Sequence, residues 1–369
     1  MHKQQRIIIA GGGTGGHIFP AIAIANAMKE KDKSIEILFV GAKGKMEMDK
    51  VPKAGFRIEG LDIAGYNRSS LIKNIGLPLK LVRSFLQVKN IFRSFRPTAV
   101  IGVGGYSSFP VLRFAQSQGI PTFIHESNAF AGKSNIMLGR RATRVFTATT
   151  GMEKFFPADK ILVTGNPVRA AIVQQVKERD TAIQSFGLDP QKKTILSMGG
   201  SLGAQHINEA IAAHIAEFAK HDLQLIWQTG KPFQQQAAQL ASGMKNIYVC
   251  DFITDMDNAY AAADLVISRS GAMAIAELCV VKKPVVFVPY PFAAEDHQTM
   301  NAQQLVNAGA GEMIADKDAL HKLVPAIIAL ATDEQKQEEM KQHIGQLAVT
   351  NADSIIATEI LNILDDRSK

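Results

Sequence analysis

Cysteine is scarce in this chain: Cys250 and Cys279 are the only two in 369 residues. A disulfide framework is excluded, and the reducing cytoplasm is the natural compartment. Long apolar runs are also missing. No window approaches twenty apolar residues, the length a membrane-spanning helix needs, except that Ile7 to Met28 carries no Lys, Arg, Asp or Glu and could pass for a signal peptide or span. Gly11, Gly12, Gly13, Gly15 and Gly16 stand in its middle and would weaken such a helix, whereas they suit a strand, a tight loop and a helix start. No His pair has zinc spacing and no Gly-x-Ser-x-Gly elbow occurs, so neither a zinc site nor a serine-hydrolase nucleophile is indicated. Acidic residues are absent from Ile63 to His125, where Arg68, Lys73, Lys80, Arg83, Lys89, Arg93, Arg96 and Arg113 are all basic. Such a patch attracts phosphate-rich surfaces, either anionic lipid or nucleic acid.

The remaining composition, 46% hydrophobic and 20% charged, is that of a globular protein, and the length points to two domains. The net charge of +7 conceals an asymmetry: up to Gly165 there are 24 Lys and Arg against 10 Asp and Glu, leaving 17 against 24 in the rest. Each half therefore faces a different kind of partner.

Short β-branched runs alternate with helical patterns, the signature of parallel βαβ units. Strands are predicted at Arg6–Ala10, Glu36–Val40, Ala99–Val103, Thr122–His125 and Arg144–Thr147, with a helix over Ala21–Lys29. The series restarts with strands Thr194–Met198, Leu223–Gln228, Leu265–Ser268 and Val285–Val288 and a helix over His206–Lys220. Gly165-Asn166-Pro167 lies between the two series, where the charge balance changes sign, and is the candidate boundary. Residues 1–165 and 166–350 are thus read as two domains of parallel βαβ units, with ligands expected beyond the carboxyl ends of the strands. Ala352–Asp366 reads as a terminal surface helix.

Three glycine loops follow predicted strands: Gly11 to His17, Gly102 to Ser108 and Gly199 to Ala204. Backbone N–H groups with no side chains in the way, at a helix N-terminus, make an anion site. The first loop satisfies G-x-G-x-x-G, but a dinucleotide site expects an acid at the end of the second strand. That strand ends Val40-Gly41-Ala42-Lys43, with no acid, although Lys43 could suit a 2′-phosphate. Three loops divided between both halves favour a ligand set with more than one phosphate-bearing member, as a sugar nucleotide and a pyrophosphate-linked acceptor would be. Asp255-Met256-Asp257 matches the D-x-D string of metal-dependent glycosyltransferases. Its place before a helical run makes cap and first-turn residues the simpler reading.

The ordered set Gly11 to Pro20, Gly102 to Ser108, His125-Glu-Ser-Asn128, Gly165 to Arg169, Gly199 to Ala204, Ser268 to Gly271 with Glu277, and Asp296-His-Gln298 with Asn301 resembles the MurG family. The resemblance implies an α/β protein of GT-B architecture, two Rossmann-like domains with parallel sheets around a cleft, and a C-terminal helix (351–369) packing back on the first. It implies an inverting transferase that moves N-acetylglucosamine (GlcNAc) from UDP-GlcNAc to lipid I, the undecaprenyl-pyrophosphoryl muramyl-pentapeptide. No cofactor, metal or nucleic acid is implied, and the protein is expected at the anionic cytoplasmic face of the membrane.

Carried over singly, Thr14, Gly15, Gly16, His17, Asn128, Arg169, Ser201, Ile253, Glu277, Gln298 and Asn301 are donor-binding candidates. Ser201 and its loop are expected at the diphosphate, Arg169 against the nucleotide, and Glu277 at the ribose hydroxyls. Phe252-Ile253 should border the uracil, and Gln298 with Asn301 should read the sugar. Gly13, Thr14, Gly104, Gly105, Tyr106 and Ser107 are candidates for the acceptor pyrophosphate. His17 is the candidate general base, suited by a pKa near neutrality, with Glu126 its rival. The chain departs from the pattern at Leu202, Ala274 and Thr299, where many members carry Gln, Thr and Gln. Competing readings are a diacylglycerol galactosyltransferase, a UDP-GlcNAc epimerase, or a catalytically silent membrane-associated scaffold.

Overall fold

The computed structural model describes residues 4–65, 76–174, 177–200, 202–293 and 296–367. Contacts divide the chain into two units, Met1–Arg169 with Asn351–Lys369, and Ala170–Thr350.

The first unit is built on a seven-stranded parallel sheet. Its strands are β1 (Arg6–Ala10), β2 (Glu36–Ala42), β3 (Arg57–Leu61), β4 (Ala99–Gly102), β5 (Thr122–Glu126), β6 (Arg144–Thr147) and β7 (Ile161–Val163), in the order β3-β2-β1-β4-β5-β6-β7. The second unit repeats the plan with six: β8 (Lys193–Met198), β9 (Leu223–Gln228), β10 (Ile247–Cys250), β11 (Leu265–Ser268), β12 (Val285–Phe287) and β13 (Glu312–Met313), in the order β10-β9-β8-β11-β12-β13. The strand order reverses between β1 and β4, and again between β8 and β11. At such switch points the connections diverge to opposite faces of the sheet and leave a crevice at the carboxyl ends of the strands. All three glycine loops follow one of these four strands.

The central strands are apolar without interruption because both faces of a parallel sheet are covered. Along β1, Ile7 and Ile9 enter one core cluster while Ile8 and Ala10 enter another, the period-two alternation of a strand dividing four consecutive buried residues between two faces. On the first face the helix Gly15–Lys31 packs through Ile18, Ala21, Ile24, Ala25 and Met28, beside Ile356, Ala357, Ile360 and Leu364 of the terminal helix Ala352–Asp366. Arg144 donates through Nε to Glu359 Oε1 at 2.9 Å, fixing the end of β6 to that helix. In the second unit the sole tryptophan, Trp227, is fully buried, its indole N–H donating to Asn208 Oδ1 at 2.9 Å.

Two predicted elements differ in detail. The helix predicted over His206–Lys220 breaks at His214 into Gln205–Ala213 and Ile215–Lys220, and the helix predicted from Ala21 begins at Gly15, so Gly15 and Gly16 form its first turn. The basic, acid-free segment forms the helix Leu77–Phe95; Arg68 and Lys73 lie outside the described residues. This helix buries Ser84, Val88 and Phe92, and Phe92 meets Phe114 edge-on at 5.0 Å. Leu79, Val82 and Leu86 stay exposed on a stripe of spacing i, i+3, i+7. No helix among the described residues is long and apolar enough to cross a membrane.

Candidate functional site

In the first unit the loops after β1 and β4 touch. A side chain on Gly105 (φ +85°) would strike the Gly12 carbonyl, and one on Gly104 (φ +97°) would lie 2.8 Å from His17 Nε2, so glycine at both positions is what lets the two loops close on each other. His17 is half-buried, and its Nδ1 lies 3.1 Å from the Gly12 carbonyl oxygen. A carbonyl can only accept, so the proton sits on Nδ1, and Nε2, on the Gly104 side, is the proton-accepting nitrogen. Thr14 Oγ1 stands 3.4 Å from the same Nδ1. Gly15 and Gly16 open the helix, where N–H groups precede the intrahelical ladder.

Glu47 shapes this loop from beneath. It is 1% exposed on the short helix Glu47–Lys53, where Oε2 accepts from Gly13 N and Oε1 from Ala42 N, each at 2.9 Å. The Gly13 N–H is therefore engaged by a carboxylate, and the anion-binding capacity of the loop rests on the N–H groups that follow. Tyr106 lies against Gly13 and Gly65, its phenol held above the usual pKa by burial and, secondarily, by the charge of Glu47. Ser107 is buried beside it, and Ser108 Oγ donates to the Gly105 carbonyl at 2.7 Å. Arg169 places its guanidinium over the Phe19 ring, 4.9 Å from the centroid.

Glu126 closes β5 and is buried. Oε1 accepts from Asn128 N at 3.1 Å and Nδ2 at 3.3 Å, while Oε2 accepts from Gly132 N at 3.1 Å and Asn135 Nδ2 at 2.8 Å. Two donors on each oxygen make this carboxylate the anchor of residues 126–135. Beside it His125 is fully buried, its Nε2 donating to the Gly165 carbonyl at 3.4 Å and its Nδ1 facing Ser127 Oγ at 3.4 Å. Burial pushes its pKa down from 6.5 to about 4.

In the second unit Gln228, at the end of β9, holds the Gly199–Ala204 loop. Its Oε1 accepts from Gly199 N at 3.1 Å, and its Nε2 donates to the carbonyls of Gly200 and Asp251 at 2.9 Å. Ser201 lies outside the described residues, and Leu202 beside it is 83% exposed. Glu277 is buried on the helix Ala272–Val281 and accepts from Tyr260 O–H at 3.0 Å. Ile253 is buried and Phe252 half-exposed. Gln298 Oε1 accepts from Tyr290 N at 3.0 Å, and Asn301 Nδ2 donates to the Ser270 carbonyl at 3.3 Å. Asp255 occupies the N-cap position and Asp257 the first turn of Met256–Ala262, with Lys177 3.6 Å from Asp255.

Residues 7–147 match the glycosyltransferase family 28 N-terminal domain, and residues 194–356 match the glycosyltransferase family 28 C-terminal domain. The chain is 50% identical over 362 residues to the UDP-N-acetylglucosamine–N-acetylmuramyl-(pentapeptide) pyrophosphoryl-undecaprenol N-acetylglucosamine transferase of Bacteroides fragilis, covering 97% of this chain and 95% of that protein. It is 44% identical to the protein of the same name from Flavobacterium psychrophilum, covering 99% of each. The crystal structure of Acinetobacter baumannii MurG superposes with a TM-score of 0.77 at 29% identity, over 97% of this chain and 99% of that one. The chain belongs to the MurG family. A UDP-N-acetylglucosamine 2-epimerase structure shares the fold at 17% identity, with a TM-score of 0.70 over 100% of this chain and 98% of that one.

Within this MurG-family GT-B fold, the expected residues gather in each unit separately. Gly13, Thr14, Gly15, Gly16, His17, Gly104, Gly105 and Tyr106 converge at the switch point of the first sheet, whereas Glu126 and Asn128 belong to a neighbouring loop that they themselves hold. In the second unit Gln298 and Asn301 meet at Ser270, and Glu277 lies on the helix that follows Gly271, bonded to Tyr260. Sequence reasoning missed Glu47, Gln228 and the pair Arg269–Asp316; a polar residue closing the apolar run of β9 was the one local signal.

His125 yields a stability test. Above about pH 7 it is neutral in both folded and unfolded chains. Between 6.5 and about 4 only the unfolded chain takes up the proton, so its depressed folded pKa lowers stability as pH falls through that window. Urea titrations should show the wild type losing about 1–3 kcal/mol more than His125→Gln between those limits; parallel curves for the two proteins would contradict the assignment.

Proposed function

We infer that this chain transfers GlcNAc from UDP-GlcNAc to the muramyl residue of the pentapeptide-bearing pyrophosphoryl-undecaprenol acceptor, lipid I, to form lipid II. The observation that carries this is the 50% identity to a transferase of that name over 97% of the chain.

His17 is the base we assign. The acceptor hydroxyl barely ionises at neutral pH, so its proton must leave as the oxygen attacks the anomeric carbon and the bond from that carbon to the UDP oxygen breaks. The Nδ1–H bond to the Gly12 carbonyl supports this, since it keeps Nε2 as the proton acceptor and steadies the ring once it is charged. Glu126 is assigned to holding its loop, because its oxygens already carry four donors. On the donor side, Glu277 accepts the ribose hydroxyls, two acceptor oxygens suiting a vicinal diol. The N–H groups of the Gly199–Ala204 loop with Ser201, and Arg169, offset the charge of departing UDP. Ile253 borders the uracil, Gln298 and Asn301 contact the sugar, and Asn128 is a further donor-binding residue. Thr14, Gly104, Gly105, Tyr106 and Ser107 hold the acceptor pyrophosphate, and Gly13, whose N–H is taken by Glu47, shapes the loop rather than binding the anion.

The transfer is tested with labelled UDP-GlcNAc and a short-chain lipid I analogue. Label should appear in the lipid product, and label left in UDP-GlcNAc or released as free sugar would refute the reading. His17→Ala should lower turnover by about 10² to 10⁴-fold with UDP affinity nearly unchanged. Near-normal turnover at saturating acceptor sinks the base assignment.

The second part of the reading is peripheral association with the anionic cytoplasmic face of the membrane. Leu79, Val82 and Leu86 lie exposed on a helix that also exposes Lys80, Arg83, Lys89 and Arg93, and each cation near an anionic surface contributes about 1 kcal/mol. Binding to anionic vesicles in sedimentation should be strong at low salt and weaken as salt rises. Equal binding to neutral and anionic vesicles, or none to either, contradicts it.

A further inference from the structure

Asp316 follows β13 in a short helical turn and is buried, its side chain 6% exposed. Two segments converge on it. Oδ2 accepts from Nδ1 of His206, on the helix that follows the Gly199–Ala204 loop, and Oδ1 accepts from Arg269 Nη1 at 2.5 Å. Arg269 is itself 13% exposed and stands between Ser268 and Ser270 in the loop after β11. The same Nη1 lies 2.9 Å from the Val288 carbonyl and 3.0 Å from the Pro289 carbonyl, and the guanidinium sits over the Tyr290 ring, 5.6 Å from its centroid. His206, Arg269, Tyr290 and Asp316 are among the residues lining a cavity of about 550 Å³ in the second unit.

The path continues to the sugar end of the donor site. Tyr290 N donates to Gln298 Oε1 at 3.0 Å, which turns the Gln298 NH₂ group the other way and presents a donor to a ligand oxygen. Ser270 Oγ donates to the Gln298 carbonyl at 2.8 Å, and Asn301 Nδ2 donates to the Ser270 carbonyl at 3.3 Å. Arg269 thus sets both neighbours of Gln298, the Tyr290 N–H that fixes its amide and the loop segment that fixes its backbone. Without the Asp316 carboxylate, Arg269 would be a nearly buried cation without its counter-charge and would be drawn toward solvent.

We propose that Asp316 is a positioning residue for donor-sugar recognition, holding Arg269 so that Tyr290 and Ser270 fix the Gln298 amide in its reading orientation. The proposal rests on the assignment of Gln298 and Asn301 to the transferred sugar. Its distinguishing consequence is that Asp316 affects the part of donor affinity that depends on the sugar and leaves the part that depends on the nucleotide.

Titration calorimetry of the full chain with UDP and with UDP-GlcNAc, alongside the transfer assay, reads this directly. In Asp316→Asn the UDP dissociation constant should stay within about twofold, while the UDP-GlcNAc dissociation constant and KM rise about tenfold and the acceptor KM is unchanged. The preference for UDP-GlcNAc over UDP-N-acetylgalactosamine should fall with them. Asp316→Glu should recover part of the loss. Arg269→Lys keeps a positive charge beside Asp316 but lacks the planar guanidinium that sits over the Tyr290 ring, so it should reproduce the sugar-specific loss in a chain that still has its ion pair. Equal losses of UDP and UDP-GlcNAc affinity, or an unchanged UDP-GlcNAc affinity in folded Asp316→Asn or Arg269→Lys, overturn the proposal. Wild-type protein that fails to transfer GlcNAc refutes the donor reading itself, and this proposal with it.

Discussion

Glu47 accepts hydrogen bonds from Gly13 N and Ala42 N through its two oxygens, and this buried carboxylate ties the end of β2 to the loop that begins the first unit's site. The loop has no side chains of its own with which to hold a shape, since Gly11, Gly12 and Gly13 are consecutive. Its conformation must come from outside, and a carboxylate that satisfies two N–H donors at once is a strong way to impose it. With the loop set, the Gly12 carbonyl is placed to accept from His17 Nδ1 and to lie under Gly105. The tautomer of His17 and the approach of the second glycine loop both follow from one buried charge.

The second unit solves the same problem with different chemistry. The Gly199–Ala204 loop is held by the amide of Gln228, which donates and accepts, and the Ser268–Gly271 loop is held by the Arg269–Asp316 pair. A neutral amide beside the Gly199–Ala204 loop adds no negative charge at the proposed diphosphate site. In the first unit the corresponding holder is anionic, and it consumes the Gly13 N–H. The proposed acceptor-pyrophosphate site therefore relies on N–H groups further along the loop and on the glycines after β4.

Much of the fold was legible because parallel strands buried on both faces advertise themselves as apolar runs. β1, β6, β9 and β11 fall where the runs Arg6–Ala10, Arg144–Thr147, Leu223–Gln228 and Leu265–Ser268 predict them. β3, β7, β10 and β13 escaped: all four are short edge strands, β3 and β13 carry no comparable run, and the apolar runs Ile161–Val163 and Ile247–Cys250 of β7 and β10 were passed over. The glycine loops were legible as loops, because only glycine tolerates the backbone and the close approach seen at Gly105. The groups that hold them were not. Glu47 acts on Gly13 across 34 residues, Arg269 on Asp316 across 47, and His206 on Asp316 across 110. Partnerships at such separations leave no local periodicity: Glu47, His206 and Asp316 read alone as ordinary polar residues, and Arg269 stands within the Ser268–Gly271 motif with nothing nearby in sequence to indicate its partner.

Glu47→Gln tests whether the glycine loop that aims His17 takes its shape from Glu47. The amide is nearly isosteric but has only one accepting oxygen for two N–H donors, and its NH₂ must face one of them. Turnover at saturating donor and acceptor should fall by about 10²-fold, the scale expected when a catalytic group is displaced by roughly 1 Å, while UDP affinity stays unchanged. A folded Glu47→Gln protein with wild-type turnover would contradict the account.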